Sequence, residues 1–451
     1  MAAINRVQLS EAILHNRFSA EFFDPGYVFT PAVNTAWVPI GRVLTKCDYG
    51  LSISMNSTGE GFPIFRMNEL EGCFALRPKK FANVSSKVFN SSALQENDVL
   101  FNRTNSFDFV GRTGIVKDQT DCTFASYLIR LVPDPAKILP EFLTVYLNTP
   151  FGIGQIKRRA MRSINQANVS GSEIRKVLIP LFPISIQEEV ANLVNEAFAK
   201  QRDGLSLYAS AQKCLETELG LDKLAFVKPI SYVARFSDLE LSHRSDAQHY
   251  QPRFRHLIDH LSAYPLARVR DIRSLNRRGL QPIYAQDGAV DVVNSQHLGP
   301  KHIDYNGLEK TSLKAFESAP DAHIQKDDLL IYTTGAYIGR TNVYLHETPA
   351  MASNHVNIIR LKPGIDAAYM SLVFQSIVGQ FQTHQHARGS AQAELYPSDI
   401  DRFIVPLIAS DRQKFVGDLL RASLVSHQQS RTLIKEAKDR VERLVQESVL
   451  P

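Results

Sequence analysis

Apolar and polar positions follow two alternating patterns along the chain. Short β-branched and aromatic runs bounded by Gly, Asn and Asp clusters, as in 98–116 and 128–132, predict a twisted, largely β module with a few helices. Each module then gives way to a polar, proline-free segment, 185–221 and again 410–450, with apolar residues at helical spacing. The first stripe is Val190, Leu193, Val194, Ala197 and Phe198. The second is Val416, Leu419, Leu420 and Leu424, continued by Ala437, Val441, Leu444 and Val445. Both segments open on predicted capping boxes, Ser185-Ile-Gln-Glu188 and Ser410-Asp-Arg-Gln413, in which a hydroxyl caps the N3 amide and Glu or Gln reaches back.

The pattern occurs twice because the chain is a tandem repeat, with matches recurring at offsets of about 226 to 230 residues. Arg17-Phe-Ser-Ala20-Glu-Phe-Phe23-Asp-Pro25 returns as Arg244-Ser-Asp-Ala247-Gln-His-Tyr250-Gln-Pro252. Asn97-Asp98-Val99-Leu100 and Val110-Gly111-Arg112-Thr113-Gly114 return as Asp327-Asp328-Leu329-Leu330 and Ile338-Gly339-Arg340-Thr341-Asn342. Ile174 to Leu181 is answered by Ile400 to Leu407, each running into a long helix. At 1.5 Å per residue such helices extend on the order of 50 Å, too far to bury their stripe on one small β module. The expectation is an α+β protein in which two pseudo-symmetric, largely β modules, 1–184 and 227–409, are separated by an antiparallel, coiled-coil-like pair of helices, 185–226 and 410–451. Two similar heads at a fixed distance suit a protein that binds two half-sites on one DNA.

Composition narrows the function classes. At 451 residues, 44% hydrophobic and 22% charged, the chain is an ordinary globular protein of more than one domain. The net charge of +5 is split almost evenly between the halves and identifies no partner by itself. The apolar runs are too short to span a bilayer and the N-terminal residues lack a secretory pattern, so a cytoplasmic location is expected. Cys47, Cys73, Cys122 and Cys214 stand apart from one another and from His at ligand spacing, which predicts buried free thiols with no metal site.

Over nearly its whole length the chain resembles the specificity subunit of type I restriction-modification systems and its relatives in two-subunit type II systems. The resemblance rests on the Arg-x-x-Ala-x-x-aromatic-x-Pro motifs, Gly-x-Pro-x-Phe-Arg at 61–66, Asp-Val-Leu-Phe-Asn-Arg at 98–103, and Val-Gly-Arg-Thr-Gly at 110–114. Gln-x-Asn-Val-Ser at 166–170 and Ile-Pro-Leu-x-Pro-x-x-x-Gln at 179–187 complete it. The second copy departs from the pattern: Gln392-Ala-Glu-Leu-Tyr stands where Gln166-Ala-Asn-Val-Ser stands in the first, and the counterpart of Pro183 is lost. The resemblance implies two target-recognition domains that read the halves of an interrupted site on double-stranded DNA, in a chain without chemistry or cofactor of its own. It implies partners too: two DNA methyltransferase subunits docked on the helices and an ATP-dependent restriction and translocation subunit. S-adenosylmethionine, ATP and Mg are expected on those partners, and no membrane is.

Among candidate DNA contacts, Lys157, Arg158, Arg159 and Arg162 stand beside Asn165 and Gln166 in what reads as a loop after an apolar helix. Cations neutralise phosphates, while Arg, Asn and Gln can pair with base edges. The equivalent stretch, 382–392, supplies Arg388 and Gln392 and is richer in amide and imidazole groups. Arg103 with Asn105, and Tyr332 with Tyr337, occupy matching loops between paired strands. Val190, Leu193, Val194, Phe198, Val416, Leu419, Leu420 and Leu424 are the candidate docking stripe for partners. A catalytic alternative, an adenine methyltransferase or a nuclease, finds little support. Asn148-Thr-Pro-Phe151 lacks the double proline of a methyltransferase loop, and Gly335 to Gly339 lacks the Lys-Ser/Thr of a phosphate loop. A duplicated module that binds protein or glycan is the third reading.

Overall fold

The computed structural model describes the chain except for residues 1–5, 16, 29, 33–34, 119–120, 228, 390–391 and 450–451. It divides into two compact units, Met1–Arg202 with His427–Pro451, and Asp203–Ser426. The long helices Ile184–Glu218 and Ser410–Gln446 therefore contribute one part to each unit.

Each unit is built on a sheet in which four antiparallel strands follow the same order. In the first, Leu44–Tyr49, Leu128–Pro133, Val99–Asn102 and Thr113–Ile115 lie side by side, extended by the short strands Phe74–Ala75 and Leu70–Glu71. In the second, Arg273–Arg278, Val356–Leu361, Leu329–Tyr332 and Thr341–Val343 follow that order. The registers match: Tyr49 lies opposite Ile129 and Asn102 opposite Leu128, as Arg278 lies opposite Asn357 and Tyr332 opposite Val356. Each sheet is braced by a charge pair that closes both oxygens of a carboxylate. Arg130 grips Asp48 at 2.7 and 2.9 Å, and Arg360 grips the fully buried Asp328 at 2.8 Å on both oxygens. Bidentate geometry of this kind offsets the desolvation of the charges.

The helices complete each unit's core. In the first unit Val190, Val194 and Ala197 share a core with Ile434, Ala437, Val441 and Val445. Arg440 pairs with Glu189 at 2.9 Å and His427 meets Gln201 at 3.0 Å, so the two segments run antiparallel. In the second unit Ala211, Leu215 and Leu219 share a core with Val416 and Leu420, and Ser423 donates to the Gly204 carbonyl at 2.7 Å. This corrects the proposed docking stripe. Val190, Val194, Val416 and Leu420 are fully buried within the chain's own units, with Leu193, Phe198, Leu419 and Leu424 packed against those cores. An apolar stripe satisfied internally is not available to a partner.

The capping boxes are also replaced. The first helix begins at Ile184, one residue ahead of the expected cap. Gln187 and Gln413 then prove to be the equivalent positions: each donates its amide to the carbonyl five residues back, Phe182 at 2.8 Å and Ile408 at 2.8 Å. Each also accepts from a distant backbone N–H, that of Leu139 at 2.8 Å and that of Asp366 at 3.2 Å. Sequence spacing had put the two boxes one residue out of register. Of the thiols, Cys73 and Cys122 are buried as expected, but Cys47 and Cys214 are only half-buried.

A second pair of glutamines fixes the strand that leads into each long helix. Leu178–Pro180 pairs on one side with Trp37–Pro39 and leaves its other edge open. Gln155, from the helix Pro150–Arg159, closes that edge by donating to the Leu178 carbonyl at 2.8 Å and accepting from the Leu178 N–H at 2.8 Å. Gln382 makes the same two bonds to Ile404, at 2.8 and 2.6 Å. Replacing Gln155 by Leu orphans a buried amide, a loss of about 1–3 kcal/mol. Hydrogen exchange at Leu178 should therefore rise in Gln155→Leu while Ile404 stays protected, and the reverse should hold for Gln382→Leu; equal protection in both variants would refute the clamp.

Candidate nucleic-acid interface

The expected basic loop is the last turn of a helix. Lys157 and Arg159 lie on Pro150–Arg159 and are both 8% exposed. Lys157 donates its ammonium to the Phe107 carbonyl and sits over the Phe107 ring. Arg159 reaches the Gln155 carbonyl at 3.2 Å and the Lys176 carbonyl at 3.3 Å, and burial pulls its pKa down to about 10. Arg158 donates Nε to the Phe22 carbonyl at 2.8 Å and covers that ring at 4.1 Å. These cations are engaged inside the fold, tying the opening motif to the helix. The matching stretch in the second unit is likewise helical as far as His386, with residues 390–391 outside the described part.

Beyond the helix the chain turns into a hairpin. Met161–Arg162 pairs with Ala167–Asn168, and the Ser163 N–H donates to the Gln166 carbonyl at 2.7 Å to close the tip. Arg162, Asn165 and Gln166 are exposed there, and Ile164 is fully exposed at the tip. A third strand, Thr104–Asn105, pairs with Ala167–Asn168, so the two candidate segments of this unit, 60 residues apart in sequence, form one three-stranded patch. Arg162 stacks over the Phe107 ring at 3.4 Å from its centroid, holding its charge at the patch.

The second unit rebuilds the patch with isolated bridges in place of continuous strand pairs. Thr334 and Arg388 both bridge to Glu394, the Gly335 N–H donates to the Ala393 carbonyl at 3.0 Å, and the Leu395 N–H to the Thr333 carbonyl at 2.9 Å. Its hairpin is one residue shorter: Met161 pairs with Asn168 but Arg388 with Glu394. Gly389 makes that tighter turn at φ +91°, and a Cβ there would lie 2.3 Å from the Gln392 carbonyl oxygen. Gln392 is exposed, and Arg388 is tied to the buried Asp399 at 2.7 Å. Tyr332 and Tyr337 meet edge to face at 6.3 Å, and Arg340 stacks on the Tyr337 ring at 3.7 Å, as Arg112 stacks on Phe109 at 4.1 Å.

Sequence reasoning singled out Arg103 but missed the side chains that surround it, and their counterparts in the second unit, which come from other strands. Arg103 donates to the Asn168 side-chain oxygen at 3.0 Å and to the Ser126 carbonyl at 3.3 Å, with its guanidinium over the Tyr49 ring at 5.0 Å. In the second unit Arg278 takes that place. It donates to Glu394 at 2.8 Å and to the Leu395 carbonyl at 2.9 Å, and lies over the Tyr396 ring at 4.8 Å. Tyr396 also donates to Glu394 at 2.6 Å; this bond, with the one from Arg278, keeps Glu394 below the usual carboxylate range. The departure of Gln392-Ala-Glu-Leu-Tyr from its counterpart carried part of this signal. Arg278 carried none, because it enters from a strand 116 residues upstream of Glu394.

The near-match to a methyltransferase loop is structural. Asn148 donates to the carbonyls of Thr113 and Thr144, both at 2.8 Å, and Thr149 caps the helix behind it through the Gly152 N–H at 3.3 Å. Among the described residues no group of three or more His, Cys, Asp and Glu could hold a metal, and no helix is long and apolar enough to cross a membrane.

Behind the second patch His386 lies half-buried beside His249, at 5.6 Å between rings, and desolvation lowers its pKa to about 4. The neutral ring is favoured in the folded state, so the unfolded chain binds the extra proton below about 6.5. The contribution is complete above that pH and is lost as pH falls toward 4. Protection of the second unit's amides, with exchange rates referred to the intrinsic rate at each pH, should fall over that interval, and His386→Gln should flatten the profile; an unaltered pH profile in the variant would remove His386 as the cause.

No family model matches the chain. It is 29% identical over 163 residues to the specificity subunit of the type I restriction enzyme EcoKI of Escherichia coli strain K12, covering 35% of this chain and 34% of that protein. It is 26% identical over 163 residues to the StySPI specificity subunit of Salmonella potsdam, covering 36% and 35% respectively. The matched stretch thus spans about a third of these relatives. Among solved structures, the S subunit of the type I restriction-modification system of M. genitalium aligns over 94% of this chain and 99% of its own, at 12% identity and TM-score 0.49. The resemblance seen in the motifs is thereby shown in sequence, to specificity subunits of type I restriction enzymes.

Proposed function

We propose that this chain, similar over a third of its length to type I specificity subunits, is the DNA-recognition subunit of a restriction-modification complex. Each unit reads one half of an interrupted site on double-stranded DNA. The chain carries no catalytic group of its own, and methylation with S-adenosylmethionine, like ATP-driven cleavage, belongs to partner subunits. The observation that carries this reading is the repeated patch: an exposed hairpin paired to a polar third strand, edged by cations stacked on aromatic rings and presented by a rigid sheet. Hydrogen-bonding side chains on a firm support are what base-edge readout requires, and the neighbouring cations supply the sequence-independent affinity for phosphate.

Binding by the assembled complex should weaken steeply as salt rises, through release of counterions from the phosphates. Arg162→Ala should weaken recognition of one half-site and leave the other intact, which competition with half-site variants would measure. Loss of discrimination at both halves, or binding indifferent to salt, would contradict the two-unit reading. A genome-wide methylation map with the gene intact and deleted completes the test: deletion should erase one interrupted, adenine-methylated motif.

A further inference from the structure

The duplication preserves a guanidinium beside the hairpin while changing the residue that supplies it. Equivalent backbone bonds set the correspondence. The N–H groups of Gly50 and Gly279 donate to the carbonyls of Leu128 and Val356, so Tyr49 of the first unit matches Arg278 of the second. The N–H groups of Val169 and Leu395 donate to the carbonyls of Arg103 and Thr333, so Arg103 matches Thr333 and Asn168 matches Glu394. The first unit thus has Tyr49, Arg103 and Asn168 where the second has Arg278, Thr333 and Glu394. The arginine has moved from the middle strand's end to the edge strand's end, and its environment has been rebuilt around it.

That environment is the same in kind. Each guanidinium lies over an aromatic ring, donates to one backbone carbonyl, and is held by the side chain at position 168 or 394 on the hairpin's inner strand. In each, Nε is buried without a hydrogen-bond partner among the described residues. A simple strut has no reason to change strands and recover its ring, its carbonyl and its hairpin partner. A group required at one place on the patch does. Each Arg uses one hydrogen on each Nη for these bonds, which leaves one hydrogen on each Nη. A guanidinium with one N–H to spare on each Nη can donate to the O6 and N7 acceptors of guanine in the major groove.

We infer that Arg103 and Arg278 each pair with a guanine in the half-site read by their own unit, and that Asn168 and Glu394 are positioning residues that hold those guanidinium groups in place. The inference rests on the DNA-recognition reading above. The two holders differ in charge. The Asn168 amide is shared with Thr104, to which it donates at 2.8 Å, whereas the Glu394 carboxylate is braced by Tyr396. The second unit therefore grips its arginine through an ion pair and the first through a neutral amide.

The test uses the chain co-expressed with its native partner subunits. The methylated motif is mapped for Arg103→Gln and Arg278→Gln separately, with Arg103→Lys and Arg278→Lys as variants that keep the charge and lose the fork. Each Gln variant should relax one guanine of one half-site, with discrimination there falling roughly 5- to 140-fold, the range for one bidentate contact. The opposite half-site should be read as before, which also shows that the complex is intact. Where a Gln variant abolishes methylation, competition between the Lys variant and single-base-substituted duplexes decides. A selective loss at one guanine supports the inference, and a uniform loss across all sequences overturns it. Asn168→Asp should keep the guanine preference and Asn168→Ala should weaken it, a difference that a structural role alone does not produce. An unchanged motif in both arginine variants overturns the inference and leaves DNA recognition standing. Failure of the unmodified complex to bind DNA in a salt-dependent way defeats both.

Discussion

The amide of one glutamine in each unit sets the position of everything that faces outward. A two-stranded ribbon leaves one edge of Leu178–Pro180 without partners, and a buried edge with bare N–H and C=O groups is costly. Gln155 satisfies both groups of Leu178 at once, as Gln382 does for Ile404. The helix carrying Gln155 ends at Arg159 and the hairpin begins at Met161, while the strand it clamps runs on into the long helix at Ile184. One side chain therefore couples the placement of the hairpin to the placement of the helix. The surrounding cations follow from this. Lys157 and Arg159 follow Gln155 within about one turn, so with the helix pinned against the strand they lie inside the unit and engage carbonyls there.

The same constraint explains which parts were legible in the sequence. The duplication, the α+β character and the two long helices were readable because they rest on periodicity and on repeated motifs, which are local signals. The mistaken docking stripe shows where that reading stops. Val190, Val194, Val416 and Leu420 have the spacing of a sticky face, and a sticky face is equally the signature of a helix buried in its own unit. Periodicity identifies the side of a helix that avoids water and is silent about what covers it.

The patch shows the complementary failure. Arg162, Asn165 and Gln166 could be singled out because several polar, hydrogen-bonding side chains stand together in one segment. Arg103 could be singled out from its place in a loop between strands. What neither signal supplied was the pairing that brings residues 104–105 against 167–168, or the ring of Tyr49 beneath Arg103. Those relations arise from strand register across the sheet, and register is a long-range property. Runs of basic residues misled for a related reason: Lys157 to Arg159 read as DNA-contacting cations in a loop, yet the helix turns them into contact with Phe22, Phe107 and backbone carbonyls.

Comparing the two units separates support from recognition better than either unit does alone. Bonds that recur at equivalent positions, such as the glutamine clamps and the Arg-aromatic stacks of Arg112 and Arg340, build the scaffold twice. Groups that recur in space but not in sequence are of another kind. A guanidinium supplied by Arg103 in one unit and Arg278 in the other answers to a requirement of place, because the scaffold accepts Tyr, Arg or Thr at the positions involved. Divergence of Asn168 to Glu394 at the hairpin's inner strand belongs with it, since a neutral amide and a carboxylate hold a cation with different firmness. Duplicated heads on a common scaffold can read different sequences only through such positions, where the fold is indifferent and the surface is not.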